Sequence, residues 1–332
     1  MPVVRFIFRS FLLLVFLTFT ASWGFLVHRT INQLAIYELP SAMGSFFFKN
    51  RDYLVYHSPR PDLRRNSDPA EAPRHFIDLE MYGNNIPTKW EDAVKRYGWD
   101  SIQKAGFVPW HIEWVMQRLT QAFRSGDKDS VLFYAADLGH YISDSQVPLH
   151  TTENYDGQLT NQKGLHSLWE SMIPELELTG YRLASSHKAV YLRQPGKEIW
   201  KSIWSANQLV PELLQKEREV SAQFSLDEKY RIQNRNGREV RSYSTAFAKA
   251  YAASLGNTIN RQLIAATDLL ADCWYTCWVD AGKPDLAGIT GTFTDAEQQQ
   301  YFQEILYFNN NQLLSNNALL ARSAQYRSGN SN

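Results

Sequence analysis

The sequence predicts an all-α protein. Apolar side chains recur at helical spacing through most of the chain, alternating strand-like runs are scarce, and the connections are rich in Pro, Asn, Asp and Gly. With 332 residues, 44% of them apolar and 14% aromatic, the chain can bury a large core without disulfides. One multi-helix domain over residues 23–320, followed by a polar tail over 321–332, is the simplest organisation. No internal repeat of roughly 20–50 residues is visible.

The first 22 residues differ from the rest. Arg5 and Arg9 precede an apolar run from Phe11 to Phe19, and Thr20 and Ser22 are small residues at minus three and minus one of a signal-peptidase site. Cleavage is therefore expected before Trp23, giving an exported mature chain. The run is shorter than the roughly 20 residues a bilayer span requires, and its lack of Cys argues against a lipid-anchored form. The chain carries 34 basic and 34 acidic side chains; removing Arg5 and Arg9 leaves 32 against 34. No broad basic field marks duplex nucleic acid or an acidic membrane as a partner, so an acidic substrate must be held locally.

Helices are expected over Phe25 to Tyr37, Trp110 to Arg124, Ser130 to Ser145, His166 to Met172, Glu198 to Val220, Ser244 to Trp278 and Thr294 to Leu314. Polar connections are expected at Ser58 to Arg74 and Thr151 to Gly164. Cys273 and Cys277 share a helix face within DCWYTCW and read as buried thiols in an aromatic stripe, with a local disulfide as the alternative in an oxidising compartment.

The chemistry concentrates in FYAADLGHYISDSQVPLHTTENYDGQLTNQKGLHSLWES. His140 and Asp144 are four residues apart on a helix, so both side chains project from one face and can meet at one ion. Pro148 stops that helix and His150 follows at once. His166 and Glu170 repeat the spacing on the next helix. Imidazole nitrogens and carboxylate oxygens in two such pairs suit zinc, which takes both at about 2.0–2.2 Å. Upstream, RHFID supplies His75 and Asp78, SPRPDLRR supplies Asp62, and WGFLVH supplies His28. Five of the eight histidines fall in these segments.

The ordered pattern from Trp23 to about Glu175 resembles the zinc-dependent phospholipases C and the single-strand-specific zinc nucleases of the S-one and P-one type, which share one helical fold. The resemblance implies three zinc ions. It puts Asp62, His75, His140 and Asp144 on the first, His150, His166 and Glu170 on the second, and the amine and carbonyl of Trp23 with His28 and Asp144 on the third. It also suggests Asp62 as the base. Asp62 lies 13 residues before His75 and is the favoured ligand, with Asp68 in the same loop as the alternative. Asp78 is assigned to orienting His75 or a neighbour, since ligating imidazoles normally donate their other N–H to an acceptor. Signal cleavage would complete the third set, because an amide nitrogen lacks the basic lone pair that a freed α-amine offers.

Phosphodiester hydrolysis needs no serine nucleophile, and the chain contains neither G-x-S-x-G nor G-x-x-x-x-G-K-[ST]. Glu170 and the 15-residue gap between His150 and His166 resemble the phospholipases, whereas LHSLWESMIP carries a Trp–acid pairing resembling the nucleases. The reading leans to a phospholipid headgroup, keeps single-stranded nucleic acid or a nucleotide as the alternative, and holds a non-catalytic zinc-bound surface protein as a third. A monomer is expected, and no protein partner is implied. His111 reads as a structural histidine, and His57 and His187 as solvated loop residues. Tyr82, Trp110 and Tyr155 are candidates for a substrate cleft, but among 45 aromatics the core is the default for each.

Overall fold

The computed structural model describes residues 24–235 and 238–323. It is mostly helical, with one antiparallel two-stranded ribbon among the described residues. The first helix, Phe25–Ile36, is buried along nearly its whole length. Against it run the long helices Lys128–Ser145 and Thr258–Asp280, and the helix Val108–Ser125 packs on both of those. Their interior is aromatic: Phe47 stacks on Trp274 at 4.7 Å, and the Trp274 indole donates to the Ala135 carbonyl at 3.1 Å. A buried indole N–H is satisfied in this way while its ring fills the core. A second apolar cluster gathers Leu149, Leu165, Trp169, Phe247 and Tyr251 under the helices Val210–Ser221 and Thr245–Leu255.

Local chemistry sets the element ends. Gly126 takes a left-handed conformation, φ 67°, and closes the Val108–Ser125 helix. Asp127 then caps the next helix by accepting from the Ser130 backbone N–H. That helix ends at Ser145, and Pro148 opens a 3-10 turn, Pro148–Thr151.

Two expected long helices are each divided. Glu198 to Val220 becomes Pro195–Asn207 and Val210–Ser221, because Pro211 has no N–H to continue a helix and favours the first turn of a new one. Ser244 to Trp278 divides at Gly256, which sits at φ 60°. The Ser58 to Arg74 connection holds a helix, Arg60–Arg64, and a 3-10 turn, Ala72–Arg74. Helices at Ser41–Lys49, Arg51–His57, Trp90–Tyr97 and Trp99–Ala105 lie outside the expected set.

The ribbon pairs Tyr230–Arg235 with Arg238–Tyr243, Tyr230 opposite Tyr243. Within the stretch expected as a polar tail, the Arg322 guanidinium donates to the Glu175 carbonyl at 3.0 Å. Cys273 and Cys277 are free and buried inside the Thr258–Asp280 helix. The expected signal segment and Trp23 lie outside the described residues. Among the described residues no helix is long and apolar enough to cross a membrane.

One buried carboxyl just past the first helix makes stability depend on pH. Burial, and then the neighbouring Asp268 charge, push the Glu38 carboxyl up to about 9. The folded state therefore prefers neutral Glu38. The stability it contributes is complete below the unfolded pKa, near 4.5, and is lost as pH rises toward 9. Glu38→Gln, a neutral isostere, should match the parent near pH 4.5 and exceed it increasingly above, by up to about 3 kcal/mol at pH 7 at 1.36 kcal/mol per pKa unit. Urea melts at pH 5, 7 and 9 measure this, and a pH-independent difference would contradict it.

Candidate metal centre

Six segments converge on one buried site. His28 comes from the first helix, which approaches the Lys128–Ser145 helix at Gly139. A Cβ at position 139 would lie 2.3 Å from the Asn32 side-chain oxygen, so glycine leaves the room that the buried Asn32 side chain occupies. As a result the His28 and His140 rings stack at 4.0 Å. His75 follows the 3-10 turn Ala72–Arg74, and the chain after it is clipped to the Pro148–Thr151 turn: Ile77 N–H donates to the His150 carbonyl at 2.8 Å, and His150 Nδ1 donates to the His75 carbonyl at 2.7 Å. His166 and Glu170 come from the last segment.

That segment is not a plain α-helix. Residues Leu168–Met172 form a π-helical turn between Leu165–Ser167 and Ile173–Glu177. Pro174 has no N–H to offer the Glu170 carbonyl four residues back, and its ring would clash with that carbonyl in α geometry. The widened turn still brings His166 Nε2 to 2.6 Å from Glu170 Oε2. The expected pairing thus holds on a different helix type, one that recurs at functional sites.

The donor atoms gather into three groups that could each hold a metal ion: Asp62, His75 and His140; His28, His140 and Asp144; and His150, His166 and Glu170. Ligands of a tetrahedral ion with bonds of about 2.05 Å lie roughly 3.3 Å apart. His75 Nδ1 and His140 Nε2 are 3.0 Å apart, and Asp62 Oδ1 lies 3.7 and 3.8 Å from them. His150 Nε2 is 3.2 Å from His166 Nε2 and 3.5 Å from Glu170 Oε2. His28 Nε2 lies 3.6 Å from Asp144 Oδ1 and 3.7 Å from Glu170 Oε1. The spacing brackets what a small divalent cation requires.

The bonding pattern also fits a cation. His140 Nδ1 donates to the Ser58 carbonyl at 3.0 Å, and His150 Nδ1 is held by the His75 carbonyl, so each Nε2 turns inward with its lone pair. Neither ring nitrogen of His28 has a hydrogen-bond partner although the side chain is buried. An orphaned buried imidazole is costly unless something accepts its lone pair.

Electrostatics point the same way. Burial, and then the charge of His140, lower His28 to about 4. Burial alone would lower His140 and His150, but nearby carboxylates, Asp144 foremost, raise each to about 9. Burial would raise Asp144 and Glu170, yet the surrounding histidines hold both well below the usual carboxylate range. A divalent cation competes with these protons for the same lone pairs, so binding releases protons.

Behind the donors stands a network that the sequence reading missed. Glu71, fully buried, faces His75 Nε2 at 3.4 Å, accepts from Arg74 Nη1 at 2.5 Å and from Arg64 Nε at 3.3 Å, and also receives the Tyr141 hydroxyl. Burial would raise its carboxyl; bonds from His75, Tyr141 and Arg64 outweigh that and hold it well below the usual range. Asp78 had been assigned this orienting role. Among the described residues it makes no hydrogen bond to an imidazole, and burial followed by the charges of Glu80 and Glu153 raises it to about 7. Position i−4 from His75 within a short proline turn was the available signal for Glu71.

The structure separates the two loop carboxylates. Asp62 turns into the site at 15% exposure, while Asp68 is 46% exposed, 3.9 Å from Arg74. His111 is buried between Phe107, Trp114 and Tyr141. His187 is not simply solvated, since its Nε2 pairs with Asp272 at 2.8 Å, and His57 packs on Tyr53 at the end of its helix. Of the three cleft candidates, Tyr82 is in the core, Trp110 lines a different cavity, and Tyr155 stands 6.4 Å from His166.

No protein-family model matches this chain, and no curated protein does.

Glu71→Gln keeps the shape but removes the charge behind His75. Losses at such supporting partners run to about 10–100-fold in metal affinity. Chelator competition at fixed pH should show a loss in that range with unchanged helical circular dichroism; unchanged affinity would reduce Glu71 to a packing residue.

Proposed function

We propose that this chain is an exported zinc phosphodiesterase of the phospholipase C and single-strand zinc nuclease type, holding three zinc ions and acting on a phospholipid headgroup as a monomer. The observation that supports the reading is a set of three donor groups in one buried site, two of them sharing His140 and the third lying beside them with Glu170 Oε1 3.7 Å from His28 Nε2. In this reading Asp62, His75, His140 and Asp144 hold one zinc, and His150, His166 and Glu170 a second. His28 and Asp144 hold the third with the amine and carbonyl of Trp23, freed by removal of residues 1–22.

Clustered zinc supplies polarisation of the phosphoryl oxygens, a water pKa lowered toward about 7 and stabilisation of the leaving oxygen. The side chains divide the remaining work. His28, His140 and Asp144 are sealed from solvent and fix the geometry, whereas His166 is 30% and Asp62 15% exposed. The site is thus reached from the Asp62 and His166 side. In this reading Asp62, carried on a short helix, would accept the proton of the attacking water. Glu71 and the backbone carbonyls of Ser58 and His75 keep the imidazoles in register while that proton moves.

One observation favours the nuclease reading. Tyr155 is 54% exposed beside His166, and an exposed ring at a site mouth can stack an unpaired base.

The deciding experiment assays zinc-loaded protein beginning at Trp23 on phosphatidylcholine vesicles, single-stranded DNA and RNA in parallel, with Asp62→Asn beside it. We expect phosphatidylcholine hydrolysis, reduced by at least about 100-fold in the variant, the lower end of what a general base contributes. Activity confined to the nucleic acids would transfer the assignment to the nuclease branch. Inactivity on all three at full zinc load would favour a non-catalytic zinc-bound surface protein.

A further inference from the structure

A second cavity, of about 760 Å³, has none of the metal-centre donors in its wall. Its volume falls in the range of small-molecule pockets, roughly 300–1,000 Å³. Three tryptophans form one end. The Trp90 ring meets Trp99 at 5.9 Å and 84°, and Trp110 at 5.9 Å and 60°, so the walls stand at steep angles to one another. Phe107 closes the corner, 5.6 Å from Trp90 and 5.7 Å from Trp99. Trp99 remains 46% exposed, although a ring of that size is usually covered.

The polar lining is selective. Glu113 projects from the Val108–Ser125 helix into the same cavity, and among the described residues its carboxylate has no hydrogen-bond or ion-pair partner. Gly196 lets the neighbouring chain pass close to it, since a Cβ there would lie 2.7 Å from Glu113 Oε1. Glu91 lies on the same wall, and burial followed by the Glu91 charge raises the Glu113 carboxyl. Arg74 also lines the cavity, but its charge is engaged by Glu71 at 2.5 Å. Lys89 and Lys197 are exposed side chains of the lining.

We propose that this cavity binds a small organic cation through a quaternary ammonium group, with Trp90, Trp99 and Trp110 as its aromatic walls and Glu113 as its counter-ion. Indole faces attract cations through their quadrupole. A primary ammonium carries three N–H donors that each require an acceptor, and indole N–H groups are donors only. The Trp110 N–H is moreover committed to the Thr88 carbonyl at 3.0 Å. A quaternary nitrogen has no donor to satisfy, so an aromatic box with one free carboxylate matches it.

The inference is independent of the phosphodiesterase reading, because it uses none of the proposed zinc ligands and its test does not read hydrolysis. Isothermal titration calorimetry of the mature chain with choline, and with its neutral isostere 3,3-dimethylbutan-1-ol, measures it directly, with and without a chelator. Saturable choline binding is expected under both conditions, with the isostere at least about tenfold weaker. Glu113→Gln should weaken choline about tenfold, and Trp99→Ala, at an exposed ring, several-fold. Gly196→Ala, which crowds the carboxylate without altering its charge, keeps the test open if Glu113→Gln does not fold. Equal binding of choline and its isostere, no saturable binding, loss of binding on chelation, or choline affinity unaffected in the folded variants would each overturn the proposal.

Discussion

The arrangement depends on one buried carboxylate. Asp144 is 1% exposed, and its two oxygens face histidines from four segments: His75 at 2.9 Å, His140 at 3.3 Å and His150 at 4.0 Å on one side, His28 at 3.6 Å on the other. An ionised carboxylate taken out of water carries a penalty of several kcal/mol unless cations or hydrogen bonds surround it. Here that requirement draws the first helix, the His75 segment, the Lys128–Ser145 helix and the turn after it onto one point. Removing any one partner leaves the rest of a buried charge cluster unbalanced. The same crowding makes the set suitable for a divalent cation, which can stand among several donors at once.

The surrounding structure holds those donors at fixed angles. Gly139 admits the first helix, Pro148 ends the long helix where His150 is needed, and Pro174 widens the turn that carries Glu170. Next outward, the Ser58 and His75 carbonyls and Glu71 orient the rings, and Arg64 and Arg74 balance Glu71. Arg64 and Arg60 both also bond Asp137, one helical turn before Tyr141. Each layer places opposite charge or a hydrogen-bond partner against the one inside it, which is what lets most of a buried polar network persist. His28 has neither ring nitrogen hydrogen-bonded, and its Nε2 faces Asp144 and Glu170 at 3.6 and 3.7 Å.

Much of this was legible in the sequence because helix geometry is local. The four-residue spacings His140–Asp144 and His166–Glu170 set a shared face before any tertiary contact is known. The all-α class followed from the same periodicity. What was illegible depended on contacts between distant segments: Glu71 behind His75, and Asp137 beneath two arginines, look like ordinary charged residues in a polar stretch. The division at Pro211 and the π turn before Pro174 were locally encoded, but strong apolar periodicity masked them. The ribbon was also signalled, since Asn236-Gly237 separates two runs of β-forming residues, a pattern typical of hairpins.

The central claim is that three cations share one site, two of them through Asp144. Diffraction from crystals of the zinc-loaded chain beginning at Trp23, recorded on both sides of the zinc absorption edge, locates those ions without reference to any substrate. The account predicts three anomalous peaks, one beside Asp62, His75 and His140, one beside His150, His166 and Glu170, and one beside His28, with Asp144 next to the first and third. A single peak, or peaks remote from Asp144, would contradict it.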